Sequence, residues 1–173
     1  MPNASREIEL MAGSDLPEAD LVAVATMIKD GGAVKGSLQA IRERVRRAHL
    51  VAIARSDDQR IIAVAALKKP ATTYRKGLSE RSGYGLSEEK FPIELGYLTV
   101  LKEWRGPDVE GVWLSSVLLQ KLMEKVGQRG AFATTKIERL CQDVLPDLGF
   151  EFCGTYKNQD NEEVFLLVRA TPA

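Results

Sequence analysis

Apolar positions recur with a helical period in four stretches of the chain and with strand-like density in seven, and their alternation predicts the architecture. The clearest stripe comes late. Ile137, Leu140, Cys141, Val144, Leu145 and Leu148 fall at i, i+3, i+4, i+7, i+8 and i+11, with Pro146 placed to kink or end the helix and Gly149 to stop it. Between Val112 and Val126, Trp113, Leu114, Val117, Leu118, Leu119, Leu122 and Met123 cover nearly every face, so this helix is expected to be buried against a sheet. Two earlier stripes are Leu21, Val24, Ala25 and Ile28, ended by Gly31-Gly32, and Leu38, Ile41, Val45 and Ala48, which follows Ser37. Asp15 is placed to cap the first, with Pro17 near its first turn and Glu18 completing a capping box. The second leaves Arg42, Arg44, Arg46 and Arg47 on or near its solvent side.

The strand-like runs are 8–11, 50–54, 61–67, 93–101, 131–135, 150–156 and 164–169. Ser56-Asp57-Asp58-Gln59 is a hairpin signal, and Asn158 to Asn161 joins the last two runs. Residues 70–92 are polar and carry Gly77, Gly83 and Gly85, which predicts a long loop or a pair of ragged strand ends. The order predicts a mixed α/β domain, one layer of sheet with helices packed on its faces.

Composition narrows the function classes. A length of 173 residues predicts one compact domain able to build a core without metal or disulfide staples. With 45% hydrophobic and 28% charged residues the chain is of ordinary globular type. Its 24 basic and 24 acidic side chains cancel, which excludes attachment to nucleic acid or anionic lipid by overall charge while leaving room for a local basic patch. Two cysteines and one histidine, with no CxxC or HExxH spacing, argue against a metal site. Two thiols without a secretory leader predict a reducing cytoplasm, and the apolar runs 21–28 and 61–67 fall short of the ~20 residues of a membrane span.

The chemistry concentrates in ELGYLTVLKEWRGPDVEGVWLSS, Glu94 to Ser116: an apolar strand, a turn rich in backbone donors, then a buried helix. A helix start with unsatisfied amides and nearby glycine suits an anion. The segment resembles the central motif of the GNAT superfamily of acyl-CoA N-acyltransferases, a strand E-L-x-x-L-x-V leading into R-x-x-G-x-G/A and a helix. The resemblance covers about residues 93–168 and implies a GNAT-like fold across 1–173, a mixed, mostly antiparallel central sheet flanked by helices on both faces. It also implies acetyl-CoA or another acyl-CoA as donor. Leu98, Thr99 and Val100 would face pantetheine, and Arg105, Gly106 and Gly111 with the amides of Val112 and Trp113 would face pyrophosphate. This chain departs from the motif at the loop. Asp108 stands where the family has its first glycine, Gly111 comes six residues after Arg105, and the loop is about three residues longer than usual. Trp113 then falls where Gly or Ala keeps the pocket open, and Asp108 and Glu110 would repel a phosphate. Along ERLCQDVLPDLGF, Glu138 takes the family's Asn position, Cys141 its Ala and Leu145 its Tyr, so the common tyrosine acid is missing.

Direct acyl transfer needs a base for the attacking ammonium and an acid for the leaving thiolate. Glu94 matches a position where several family members place a glutamate base; otherwise it is an exposed carboxylate at a strand end. Tyr156 is the nearest candidate acid; otherwise it is rim packing. Cys141 reads as a core residue, His49 as a boundary histidine, and Trp104 and Trp113 as packing aromatics. The resemblance therefore implies a cytoplasmic N-acyltransferase acting on a primary amine of an unidentified acceptor, as monomer or homodimer. The alternative is a repurposed GNAT fold that modifies or binds nucleic acid, or a non-catalytic binding module. Arg42, Arg44, Arg46 and Arg47, with Lys68, Lys69, Arg75, Lys76 and Arg81, would hold a phosphate-bearing acceptor.

Overall fold

A computed structural model describes residues 7–108 and 110–173. Its seven strands form one sheet in the order β1-β2-β3-β4-β5-β7-β6. The chain divides into two compact units, 1–68 with 97–125 and 69–96 with 126–173, and β4 (Ile93–Val100) runs through both. No helix among the described residues is long and apolar enough to cross a membrane.

The first unit holds β1 (Ile8–Met11), α1 (Glu18–Asp30), α2 (Leu38–Arg46), β2 (Leu50–Arg55), β3 (Ile61–Lys68) and α4 (Leu114–Val126). β1, β2 and β3 pair antiparallel in sequence, and the predicted hairpin turns through Gln59 at φ 66°. Leu21, Val24, Ile28, Ile41 and Val45 from the two predicted stripes meet Val51, Ile53, Val64 and Ala66 in one apolar cluster. The other sheet face, Ala52, Ala54, Ala63 and Ala65, is equally buried, and its small side chains allow close approach of whatever covers it. α2 starts after Ser37 as expected, and Ser37 caps it, its hydroxyl accepting from the Ala40 amide at 3.1 Å. Asp15 does not cap α1. It lies in a 3-10 turn, Gly13–Asp15, and the helix starts after Pro17, because a residue preceding proline is driven to extended backbone, as Leu16 is at ψ 126°. Arg55 clasps Glu9 at 2.6 Å and Asp20 at 2.7 Å, joining β1, α1 and β2, and these carboxylates, Asp20 foremost, raise its pKa against the opposing effect of burial.

The second unit holds α3 (Thr72–Ser82), β5 (Ala131–Thr135), a π-helical stretch Leu140–Val144 running into the single turn α5 (Leu145–Asp147), β6 (Glu151–Lys157) and β7 (Glu163–Arg169). β5 pairs parallel with β4 and antiparallel with β7, and β7 forms a hairpin with β6. Two expectations are corrected here. Residues 72–82 are a helix, not loop. Its only buried positions are Leu78 and the charged Arg75, so no apolar stripe announced it. The Arg75 guanidinium instead donates to the carbonyls of Phe91 and Pro92, at 2.5 and 2.9 Å, and ties the helix down from inside. The late stripe is also interrupted: Ile137 is 56% exposed, and the wider π turn carries Leu140, Cys141 and Val144 inward before Pro146, which has no amide to continue an α ladder.

Candidate active site

Strand pairing assembles a polar group on one face of the second unit. Glu94 lies beside Phe132, Phe132 beside Val168 and Thr134 beside Leu166. With side chains alternating along each strand, Glu94 and Thr134 therefore share the face where Leu78 of α3 packs with Phe132, Leu166 and Val168. Glu94 is only 3% exposed, which overturns its reading as a solvated strand-end carboxylate. Tyr74, projecting from α3, donates its hydroxyl to Glu94 Oε1 at 3.1 Å. The residue as a whole is 40% exposed, while its hydroxyl reaches Glu94. Burial and then the Glu94 carboxylate push the Tyr74 hydroxyl well above the ordinary phenol range.

Tyr156, on β6, belongs to the same face. Burial raises its pKa, against a hydrogen bond with Thr134 and the positive charge of Arg81, whose guanidinium lies 5.7 Å from the Tyr156 ring centroid. A buried carboxylate thus sits among two phenols that stay protonated at neutral pH. Such a group can accept a proton at one point and supply one at another. Tyr74, Thr134 and Arg81 complete an arrangement of which sequence reasoning named only Glu94 and Tyr156 as the reactive pair.

The positions predicted to hold the acyl donor lie in the first unit. Within β4, Tyr97 takes φ 56°, a left-handed conformation uncommon for a non-glycine residue, and the Lys68 ammonium sits 4.4 Å from its ring centroid. Leu98, Thr99 and Val100 follow, each half-buried. Arg105 turns its side chain back, donating through Nε to the Val100 carbonyl at 2.9 Å. Gly106 and Gly111 take positive φ of 110° and 82°, and Pro107 bridges to Trp113. Inside this turn, Asp108 Oδ1 accepts from the Val112 amide at 2.8 Å and the Glu110 amide at 2.9 Å, while the Gly111 amide donates to the Asp108 carbonyl at 3.0 Å. The Val112 amide that the resemblance assigned to pyrophosphate is therefore occupied by the loop's own carboxylate. As folded, the Val112 and Glu110 amides are not free to receive a pyrophosphate.

The arginines of α2 are largely engaged as well. Arg42 and Arg46 both pair with Glu18, Arg46 also meets Glu43 at 2.8 Å, and Arg44 donates to the Lys35 carbonyl at 2.8 Å. Cys141 is buried in the π stretch, and burial raises the pKa of its thiol, as expected of a core cysteine.

No family model matches the sequence, and no curated protein matches it. Solved structures do match. An acyl-CoA N-acyltransferase from Pseudomonas aeruginosa is similar at TM-score 0.66 and 15% identity, over 95% of this chain and 99% of that one. A histone acetyltransferase HPA2 and related acetyltransferase from Corynebacterium glutamicum is similar at TM-score 0.68 and 16% identity, over 98% of each chain. A GNAT superfamily phosphinothricin acetyltransferase from Sinorhizobium meliloti, in complex with AcCoA, is similar at TM-score 0.65 and 15% identity, over 97% of this chain and 89% of that one. The architecture of this chain is thus that of GNAT acyltransferases, at identities that speak to the fold alone.

Proposed function

With the GNAT fold as premise, we propose that the chain transfers an acyl group from a thioester donor, most simply acetyl-CoA, to a primary amine. The buried Glu94 carboxylate with the Tyr74 hydroxyl at 3.1 Å carries this reading, because a desolvated carboxylate held by a donor suits a base better than a surface ornament. Glu94 takes the proton of the attacking ammonium. Tyr156, protonated at neutral pH, supplies one to the departing sulfur as the C–N bond forms and the C–S bond breaks. Acyl-CoA as donor would require Asp108 to release the Val112 and Glu110 amides, so its affinity is expected to be modest.

The test is steady-state kinetics on a panel of amines. Glu94→Gln is expected to lower kcat/KM by ~10²-fold, and Tyr156→Phe to lower kcat by roughly ten- to a hundredfold. Wild-type kinetics in both variants would refute these roles. The occupied loop favours one other reading, a binding module that has left acyl transfer. Calorimetry with acetyl-CoA separates the two, since absence of heat and of thermal stabilisation would support the module. The pairing of Arg42 and Arg46 with Glu18 weighs against a nucleic-acid partner on α2.

A further inference from the structure

We infer that Arg81 is a specificity residue, and that the amine acceptor carries an anionic group, a carboxylate or a phosphoryl, that this guanidinium receives. The inference rests on the acyltransferase reading of Glu94 and adds to it the chemical class of the acceptor. Tyr74, Leu78 and Arg81 stand at i, i+4 and i+7 and so lie along one face of α3, with Leu78 fixed in the core beneath. Helical side chains lean toward the helix start, and Arg81 follows this rule back across Gly77. A Cβ at Gly77 would lie only 3.3 Å from Arg81 Nη1. A glycine inside a helix is unfavourable against alanine, and here it leaves the space the guanidinium occupies. The cation is thereby brought to the level of residue 77, roughly 4.5 Å along the helix axis from Tyr74, by three residues of rise.

No carboxylate forms an ion pair with Arg81 among the described residues; its partner is the face of the Tyr156 ring, at 5.7 Å. Its charge nonetheless reaches the site, since it bears on the hydroxyls of both Tyr74 and Tyr156. One face of the second unit therefore presents a buried carboxylate, Glu94, and an exposed guanidinium fork, with the two phenols associated with them. A ligand with an ammonium at one end and anionic oxygens at the other matches both charges at once. Guanidinium receives planar or tetrahedral oxyanions through paired N–H donors, which a lysine cannot reproduce. A neutral amine would leave the fork unused.

The experiment compares matched acceptors: β-alanine and 4-aminobutyrate against propylamine and butylamine, and 2-aminoethylphosphonate against ethylamine, with a saturating acetyl donor. The wild-type protein is expected to prefer the anionic member of at least one pair by roughly tenfold or more in kcat/KM. Arg81→Met should collapse that ratio by a similar factor through KM, and Arg81→Lys should restore part of it. Arg81 is exposed, so a melting curve is expected to report intact folding for both variants. Preference for the carboxylates over the phosphonate, or the reverse, identifies which oxyanion is received. Equal turnover of anionic and neutral partners, or an Arg81→Met ratio unchanged from wild type, would overturn the inference while leaving acyl transfer in place. No product from any amine would remove the acyltransferase reading and this inference with it.

Discussion

The Tyr74 hydroxyl is one of the groups that hold Glu94. A hydrogen bond to a charged group contributes about 1.5–3 kcal/mol, and removing one partner leaves a buried acceptor short of a donor. Tyr74→Phe is therefore expected to cost about 1–3 kcal/mol of stability and, if Glu94 is the base, roughly tenfold in kcat, with KM for the amine little changed. Denaturant unfolding and steady-state kinetics on the same variant check both, and unchanged values would mean that the carboxylate is positioned by its other surroundings. Glu94 was legible in the sequence because it opens an apolar strand in a recognisable motif. Tyr74 was not, because its neighbours carry no periodic stripe, and nothing local says that its hydroxyl crosses to a strand twenty residues on. Asp108 was legible only in sign. The sequence marks it as a charge hostile to phosphate, whereas the folded loop makes it the acceptor of two amides.

The loop between β4 and α4 and the helix α3 are where local pattern and tertiary structure part company. Loop glycines and a helix start suggest an open cradle, yet a carboxylate two to four residues upstream of those amides closes on them first. Asp108→Asn keeps an oxygen for the turn and removes the charge, so acetyl-CoA binding is expected to tighten by roughly three- to tenfold, measured by calorimetry. Weaker binding, or none in either protein, would show that the loop amides are not the donor's phosphate site. Helix α3 hid from periodicity because its inward anchor is Arg75, a residue that pattern reading assigns to solvent. Its burial is made tolerable by carbonyls of Phe91 and Pro92 and by the Phe132 ring at 5.5 Å, contacts set by the tertiary fold. By contrast α1, α2 and the β2–β3 hairpin were readable because apolar spacing and turn chemistry agree there with the final packing.

The succession of strands and helices was enough to indicate a mixed α/β sheet covered by helices, since seven β-rich runs separated by amphipathic stretches leave few ways to cover a sheet, and the GNAT architecture was implied by the resemblance of Glu94 to Ser116 to that family's central motif. What order cannot convey is the shared titration of groups gathered from distant segments. Burial leads the upward pKa shifts of Tyr74, Tyr84, Tyr156, Cys141 and Cys153. Each folded-state value thus lies above its unfolded counterpart, so in the alkaline range the folded chain holds more protons than the unfolded one, and stability falls as pH rises. Their contribution is fully present below the ordinary thiol and phenol ranges, about pH 8.5 and about pH 10, and is lost progressively above them. Melting temperature is expected to show no loss from these groups between about pH 7 and pH 8 and to decline with increasing steepness beyond about pH 9. Tyr74→Phe removes the most strongly shifted phenol, so its melting temperature, lower at neutral pH for want of the Glu94 bond, should fall less steeply above pH 10 than that of the wild type. Parallel curves for the two proteins would mean that the Tyr74 hydroxyl ionises as readily folded as unfolded. That would also remove the ground for treating this face of the sheet as a dry site in which a carboxylate and a phenol exchange protons with a substrate.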